Sequence, residues 1–336
     1  LNRLEPPANS RQSDLFRQLN QRYFNFARQL PDPLKQLGRS RSTFLGSACD
    51  EAFEGVQELN PVLAGTPWLF WETFSSLDDE CFLQIAEAGT VFVLASIVLD
   101  HLVDGQAEEQ EQMALFHQAL YSHGISIYRA VFGASSDFWV YFERLASDHL
   151  AGLAKELQAQ LDPQNLSLED LNTMAHGKVS PIVVTIAALS EASRQPEKLG
   201  PIETSLKHIS VASQLLDDIG DWKHDLEVGH VTYYLTRLAL TGSSGSVGLP
   251  SVEVAQSKID AEWIDVNHLE MVLDLLDDST YAVRGIECPA WIDYVGGYHW
   301  LANEHLTTAM ARHLVQKLRP LIKREEPDEQ GETVDT

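Results

Sequence analysis

Basic residues are scarce. Lysine and arginine total 24 against 49 aspartates and glutamates, a formal charge of −25 over 336 residues. A nucleic-acid surface needs clustered cations, so no nucleic-acid partner is expected. The same acid excess disfavours docking on anionic lipid. Cysteine is nearly absent: Cys49, Cys81 and Cys288 stand far apart, with no paired spacing. That excludes a disulfide framework and a cysteine zinc site, and predicts reduced thiols in a cytoplasmic protein. Long hydrophobic runs are missing. The longest uncharged apolar stretch, 88–99, falls short of the roughly 20 residues of a membrane span, so no stable membrane insertion is expected. No alternating run between turn residues reads as a strand, and no internal repeat of fixed period occurs. The chain opens at Leu1 with neither a Met nor a signal-like segment, as expected of a trimmed or excised chain.

What is present is helical periodicity. Hydrophobic residues make up 44% of the chain, enough for a substantial core. "LFRQLNQRYFNFARQL" (15–30) repeats apolar residues at three- and four-residue steps, as does "FWVYFERLASDHLAGLAKELQAQL" (138–161). Ser167 and Asp170 in "LSLEDLNTMAHGKV" form a near capping box that restarts a helix. Breaks fall at 133–136, 162–163, 195–201 and 242–250. The expected fold is all-α: one domain of long helices, 13–322, around a central cavity. Residues 1–12 read as loose, and 323–336 as a disordered acidic tail.

The chemistry lies at two helix ends. "VFVLASIVLDHLVDG" (91–105) runs apolar and then carries Asp100, His101 and Asp104. "SQLLDDIGDWKHDLEVGH" (213–230) carries Asp217, Asp221 and Asp225 at i, i+4, i+8. At 3.6 residues per turn each row keeps to one helix face. Facing rows would offer up to five carboxylates, the oxygen donors a hard cation such as Mg2+ takes together with substrate phosphates. With 49 acids in the chain, such a triplet also arises by chance. A solvated acidic face is the plain alternative, and Asp274 with Asp278 reads that way. Both rows, however, begin where an apolar helix runs out, after 91–99 and 211–216.

These segments resemble those of the class I isoprenoid synthases. "QLLDDIGDWKHDLEVG" resembles their second aspartate-rich segment: the DDxxD of trans-prenyl diphosphate synthases at Asp217, Asp218 and Asp221, or the terpene-cyclase metal triad at Asp217, Asp221 and Asp225. It is also similar to the phytoene-synthase segment, with Gln214 and Gly229 in register. "DHLVDG" resembles the first motif, with Asp100 and Asp104 at its outer positions and His101 where a second Asp often stands. Lys178 in "HGKVSP" matches the family's diphosphate-binding lysine, and His230 the basic residue after the second motif. The likeness covers roughly residues 85–240. It implies the family's fold, three Mg2+ ions held by Asp100, Asp104, Asp217, Asp221 and Asp225, and a prenyl diphosphate substrate gripped by Lys178 and His230. It also allows a homodimer. An allylic cation needs a dry aromatic cavity, for which Phe92, Trp222, Tyr233, Tyr234, Tyr298 and Trp300 are candidates.

Within that family the expected reaction is terpene synthesis: ionisation of one linear prenyl diphosphate, release of diphosphate, and conversion of the cation to a hydrocarbon or alcohol. The GGKRxRP-like segment that holds a second diphosphate in chain-elongating synthases has no counterpart; "LGRSRSTFLGSACD" (37–50) offers only Arg39 and Arg41. Prenyl transfer, head-to-tail or head-to-head, is the alternative. The Arg-Tyr pair of bacterial cyclases is missing, and "GGYHWLAN" supplies Tyr298 without its Arg. Of other classes, a helical di-iron oxygenase needs Glu-x-x-His motifs, and only Asp221 with His224 approximates one. A non-catalytic helical binding protein would use the acids as a solvated face.

Overall fold

The computed structural model describes residues 10–46, 51–105, 109–161, 166–238, 240–241, 247–248 and 250–322. The expected tail, 323–336, and the break at 162–163 lie outside them. Helix α1 (Ser10–Gln29) buries Leu15, Phe16, Leu19, Tyr23 and Ala27, the three- and four-residue steps read from the sequence. It starts inside the stretch expected to be loose, because Arg11 bonds to Asp79 (2.5 Å) and ties its first turn to another helix. Four single-turn helices follow: α2 (Leu34–Leu37), α3 (Ser42–Leu45), α4 (Pro61–Ala64) and α5 (Thr66–Leu69).

The bundle proper begins with α6 (Asp79–Val103), whose first turn is capped by Asp78 (2.8 Å to the Cys81 amide). By length and composition α6 could cross a membrane, although no single uncharged run in it is long enough. Most of it is covered by α7 (Gln110–Val131), α9 (Leu168–Ala192) and α1. Its one buried acid, Glu87, is neutralised by Arg22 (3.3 Å) and faces His123 (3.4 Å). Helix α8 (Phe138–Leu161) packs along α9. Gly152 and Gly177 meet at that seam so closely that a Cβ on either would sit under 3 Å from the other's Cα. α10 (Leu199–Val228) leans on α9 and on α13 (Ile264–Ala282), after α11 (Tyr233–Leu238) and α12 (Val252–Glu262). α14 (Pro289–Ile322) closes the bundle against α13. The only strands among the described residues are a two-residue antiparallel pair, Leu240–Thr241 with Val247–Gly248.

The capping box at the start of α9 forms as expected. Ser167 accepts from the Asp170 amide (3.1 Å) and its own amide donates to Asp170 (2.9 Å). Lys155 and the Ser167 groups hold the Asp170 carboxyl down at about 2. Its contribution is therefore present above the ordinary carboxylate range and fades as pH falls towards 2. Ser167→Ala is expected to cost about 1 kcal/mol in urea denaturation at pH 7.

Candidate active site

Lys178 stands between the two acidic rows. Its ammonium bonds to Glu156 on α8 (2.7 Å) and lies 3.8 Å from Asp100 at the end of α6. Burial works against its charge, but Asp100, Glu156 and Asp104 together outweigh burial and hold the pKa above its ordinary value. Asp217, across on α10, feels the same ammonium. Asp104 feels both Lys178 and His230. The two rows and the lysine thus form one electrostatic unit.

Local structure explains the far side. Gly229 closes α10 with φ +74°, a conformation that favours glycine. The reversed chain lets the His230 amide donate to the Asp225 carbonyl (2.8 Å), and the His230 ring comes 3.2 Å from the Asp225 carboxylate. Asp217 and Asp221 open to solvent at the mouth while Asp225 is buried. Asp218 turns away from them. It is buried and accepts the Tyr234 amide (3.4 Å), which caps α11. Burial, with three acidic neighbours adding, pushes its carboxyl up to about 7. Burial also raises Asp104, Asp217 and Asp221, each with a neighbouring aspartate reinforcing it.

Below the mouth lies a half-open cavity of about 440 Å3, within the range of small-molecule sites. Asp217, Asp221, Asp225, Lys178 and His230 ring it, and Val179, Ile182, Met174 and Tyr233 line its apolar wall. On the opposite wall Tyr294 donates to Asn60 (2.8 Å) and contacts Tyr298 (3.3 Å). A second cavity of about 260 Å3 lies between α6, α7, α8 and α9, with Phe92, Tyr121 and Phe142 around it. Phe92 makes edge contacts to both rings (5.0 and 5.3 Å).

Of the aromatic candidates, Tyr233 and Tyr298 line the first cavity and Phe92 the second. Three expectations are corrected. Trp222 is turned off the aspartate face of α10 and packs with Tyr234, Leu235 and Ile259 in a separate small core. Tyr234 is buried there too and lines neither cavity. Trp300 is 65% exposed on α14. His101, partly buried, borders neither cavity. Asp274 and Asp278 are exposed on α13. Neither arginine of 37–50 reaches the site: Arg39 borders a surface hollow with Asp32 and Glu51, and Arg41 pairs with Glu51 and Glu58. Glu156, Asn60 and Tyr294 were not singled out from the sequence. Each belongs to a polar or aromatic stretch without a motif, and only packing brings it to the cavity.

Among the described residues no three acidic, histidine or cysteine side chains close on one point as a preformed metal cage. The donor set nevertheless suits Mg2+. It is all carboxylate oxygen, and Glu156 Oε2 is buried without a partner. Asp217, Asp221 and Asp225 line the cavity, whereas Asp100 and Asp104 do not and reach it only through Lys178; these five are the residues that would hold the ion.

No protein-family model and no curated protein sequence matches the chain. Solved structures do. A geranyltranstransferase from Thermotoga maritima superposes with a TM-score of 0.59 at 15% identity, covering 86% of this chain and 97% of that one. A geranylgeranyl pyrophosphate synthetase from the archaeon Geoglobus acetivorans gives 0.60 at 13% identity over 87% and 98%. A geranylgeranyl pyrophosphate synthase from Corynebacterium glutamicum gives 0.62 at 15% identity over 91% and 95%. At these coverages the likeness extends over most of the chain, which has the all-α fold of the trans-prenyl diphosphate synthases, the class I isoprenoid synthase fold.

Proposed function

We propose that the protein ionises an allylic prenyl diphosphate and directs the resulting carbocation. One observation carries this reading: a single lysine held between two carboxylate rows, at the mouth of a cavity whose walls are apolar and aromatic. Bound Mg2+ would neutralise the diphosphate oxygens as the leaving group takes up charge. Lys178 adds a fixed positive charge there, kept protonated by Glu156 and Asp100, and needs no reorganisation when the bond breaks. His230, carried back over Asp225 by the Gly229 turn, is the second group aimed at the same oxygens. The apolar walls keep water from the cation, and aromatic faces stabilise it.

Within this chemistry two reactions compete. The fold neighbours described above are named as prenyl-transferring or prenyl diphosphate-forming enzymes, which favours prenyl transfer over the terpene synthase expected from sequence. The charge of the cavity favours a reaction of one diphosphate. Among the described residues its lining carries two basic side chains, Lys178 and His230, both at the carboxylate mouth. The opposite wall, Asn60 with Tyr294 and Tyr298, is neutral and offers a second diphosphate no cation. We therefore read the protein as a terpene-synthase-like diphosphate lyase, with prenyl transfer as the second reading.

The test supplies C10, C15, C20 and C25 allylic diphosphates with Mg2+, alone and with the five-carbon homoallylic diphosphate. Diphosphate released without acceptor, with a hydrocarbon or alcohol formed, is the expected result. Chain lengthening that requires the acceptor would establish the second reading. No release from any substrate would overturn both.

A further inference from the structure

A surface helix ordinarily carries one apolar stripe and a polar opposite face. Helix α14 carries two apolar stripes, and the bundle uses one. Between 303 and 318 only Leu306, Ala309 and His313 are covered. Arg312 pairs with Asp265 on α13, and Lys317 lies over the Trp263 ring (4.5 Å). The other side is bare: Trp300, Leu314, Val315 and Leu318 are each at least half exposed. Trp300, Glu304, Thr307, Ala311, Leu314 and Leu318 follow one another at alternating steps of four and three. That is the 3.5-residue seam by which two helices pair. Met310 and Val315, also exposed, flank it. From Trp300 to Leu318 the seam runs about 27 Å at 1.5 Å per residue.

We infer that this face binds a second copy of the chain, with the two α14 helices antiparallel. Charge chooses that occupant and that direction. The start of the seam is acidic: Glu304 lies in it, and Asp277 of α13 stands beside it, 3.5 Å from His299. Its far end is basic, since between Glu304 and Glu325 the sequence has no acid and five lysines and arginines. Parallel helices would set like charge on like; antiparallel helices set the basic end on the acidic one. Side-chain size fits the same direction. With Trp300 against Leu318 of the second copy, Thr307 meets Ala311 at the centre, where small side chains let the backbones approach. Lys317 of the second copy then stands level with Leu301, within a turn of Glu304 and of the His299–Asp277 pair. The exposed apolar surface of two such faces is about 1,000 Å2 together, the lower end for a specific interface. An anionic bilayer also suits a partly basic apolar helix, but it would meet Glu304 in the seam and Asp277 next to it.

Sedimentation equilibrium of the full chain at micromolar concentration makes the first test. Wild type should have at least twice the 37.5 kDa of one chain, and Leu314→Glu/Leu318→Glu should halve its mass. Both side chains are exposed, so this variant should keep the wild-type helical circular dichroism. Direction is tested by Thr307→Cys and Ala311→Cys carried on separate proteins. Mixed and mildly oxidised, they should form an intermolecular disulfide faster than either does alone, above the wild-type background. A monomeric wild type, or a mass unchanged in Leu314→Glu/Leu318→Glu, overturns the pairing. Cross-linking that is faster within either variant alone overturns the antiparallel direction. A monomer that co-sediments with phosphatidylserine vesicles gives this face to a bilayer instead and overturns the second copy as its occupant.

Discussion

Asp217→Asn and Asp100→Asn are each expected to lower diphosphate release by roughly 100- to 1,000-fold or more, the scale of losing one electrostatic group at a leaving-group site. The metal-free variants should meanwhile be no less stable than wild type. The two halves of that result come from one cause. In the empty site the carboxylates work against one another: burial raises the Asp217 carboxyl and the Asp221 charge raises it further. Like charges about 4 Å apart cost roughly 1 kcal/mol in water and about 4 at an effective dielectric of 20. Replacing one acid by its isosteric amide removes repulsion and removes a metal ligand together. Lys178 is not left bare in Asp100→Asn, because its shorter bond, to buried Glu156, remains. Asp274→Asn on the exposed face of α13 is the control and should change neither quantity. Steady-state diphosphate release and a metal-free melt are the measurements. Wild-type turnover in Asp217→Asn sinks the metal assignment. A melting temperature that falls with activity would mean that the aspartate holds the fold rather than the substrate.

Much of this arrangement can be read from sequence, for physical reasons specific to each residue. The period of α1 and α8 is set by burial on one face, so it is visible before any packing is known. The Ser167–Asp170 box and the Gly229 turn are local, fixed by neighbouring backbone groups. That both acidic rows lie within the field of Lys178 is not local, yet helix ends that turn from apolar to acidic already pointed to a shared site. What escaped depends on tertiary contact. Glu156 lies in "KELQAQ", which has no motif, and matters only because α8 brings it to Lys178. Asp218 belongs to the DDxxD string, but its carboxylate turns to the α11 backbone. Trp222 could have been set aside from the helical wheel alone, since it follows Asp221 by one residue and so leaves its face. Pro181 inside a helical run announces an orphaned carbonyl, but not that His149 on α8 will satisfy it.

The metal-free protein should lose stability as pH rises from 5 to 8, and Mg2+ with inorganic diphosphate should restore it. Asp218 sets the sign. Its folded pKa is raised to about 7, whereas an unfolded aspartate titrates near about 3.9. Between those values the native state binds more protons than the unfolded state, so stability falls as pH climbs. The contribution is full below about 4 and is gone once pH passes through about 7, an amount on the order of 2–4 kcal/mol. Asp104, Asp217 and Asp221 are shifted the same way and add to the slope. Asp170, held at about 2, acts only in acid and does not enter this window. Cation binding replaces those protons, so it releases them and strengthens as pH rises. A ligand at 100 times its Kd stabilises the folded state by about 2.7 kcal/mol, several degrees in the melting temperature. That rise should be larger at pH 8 than at pH 5.5, absent in Asp217→Asn and intact in Asp274→Asn. Asp218→Asn should flatten the metal-free pH dependence. A thermal melt across this pH range, with and without Mg2+ and diphosphate, makes the test. A flat wild-type profile removes the raised carboxyls. A rise that survives in Asp217→Asn but vanishes in Asp274→Asn moves the cation to the solvated face of α13.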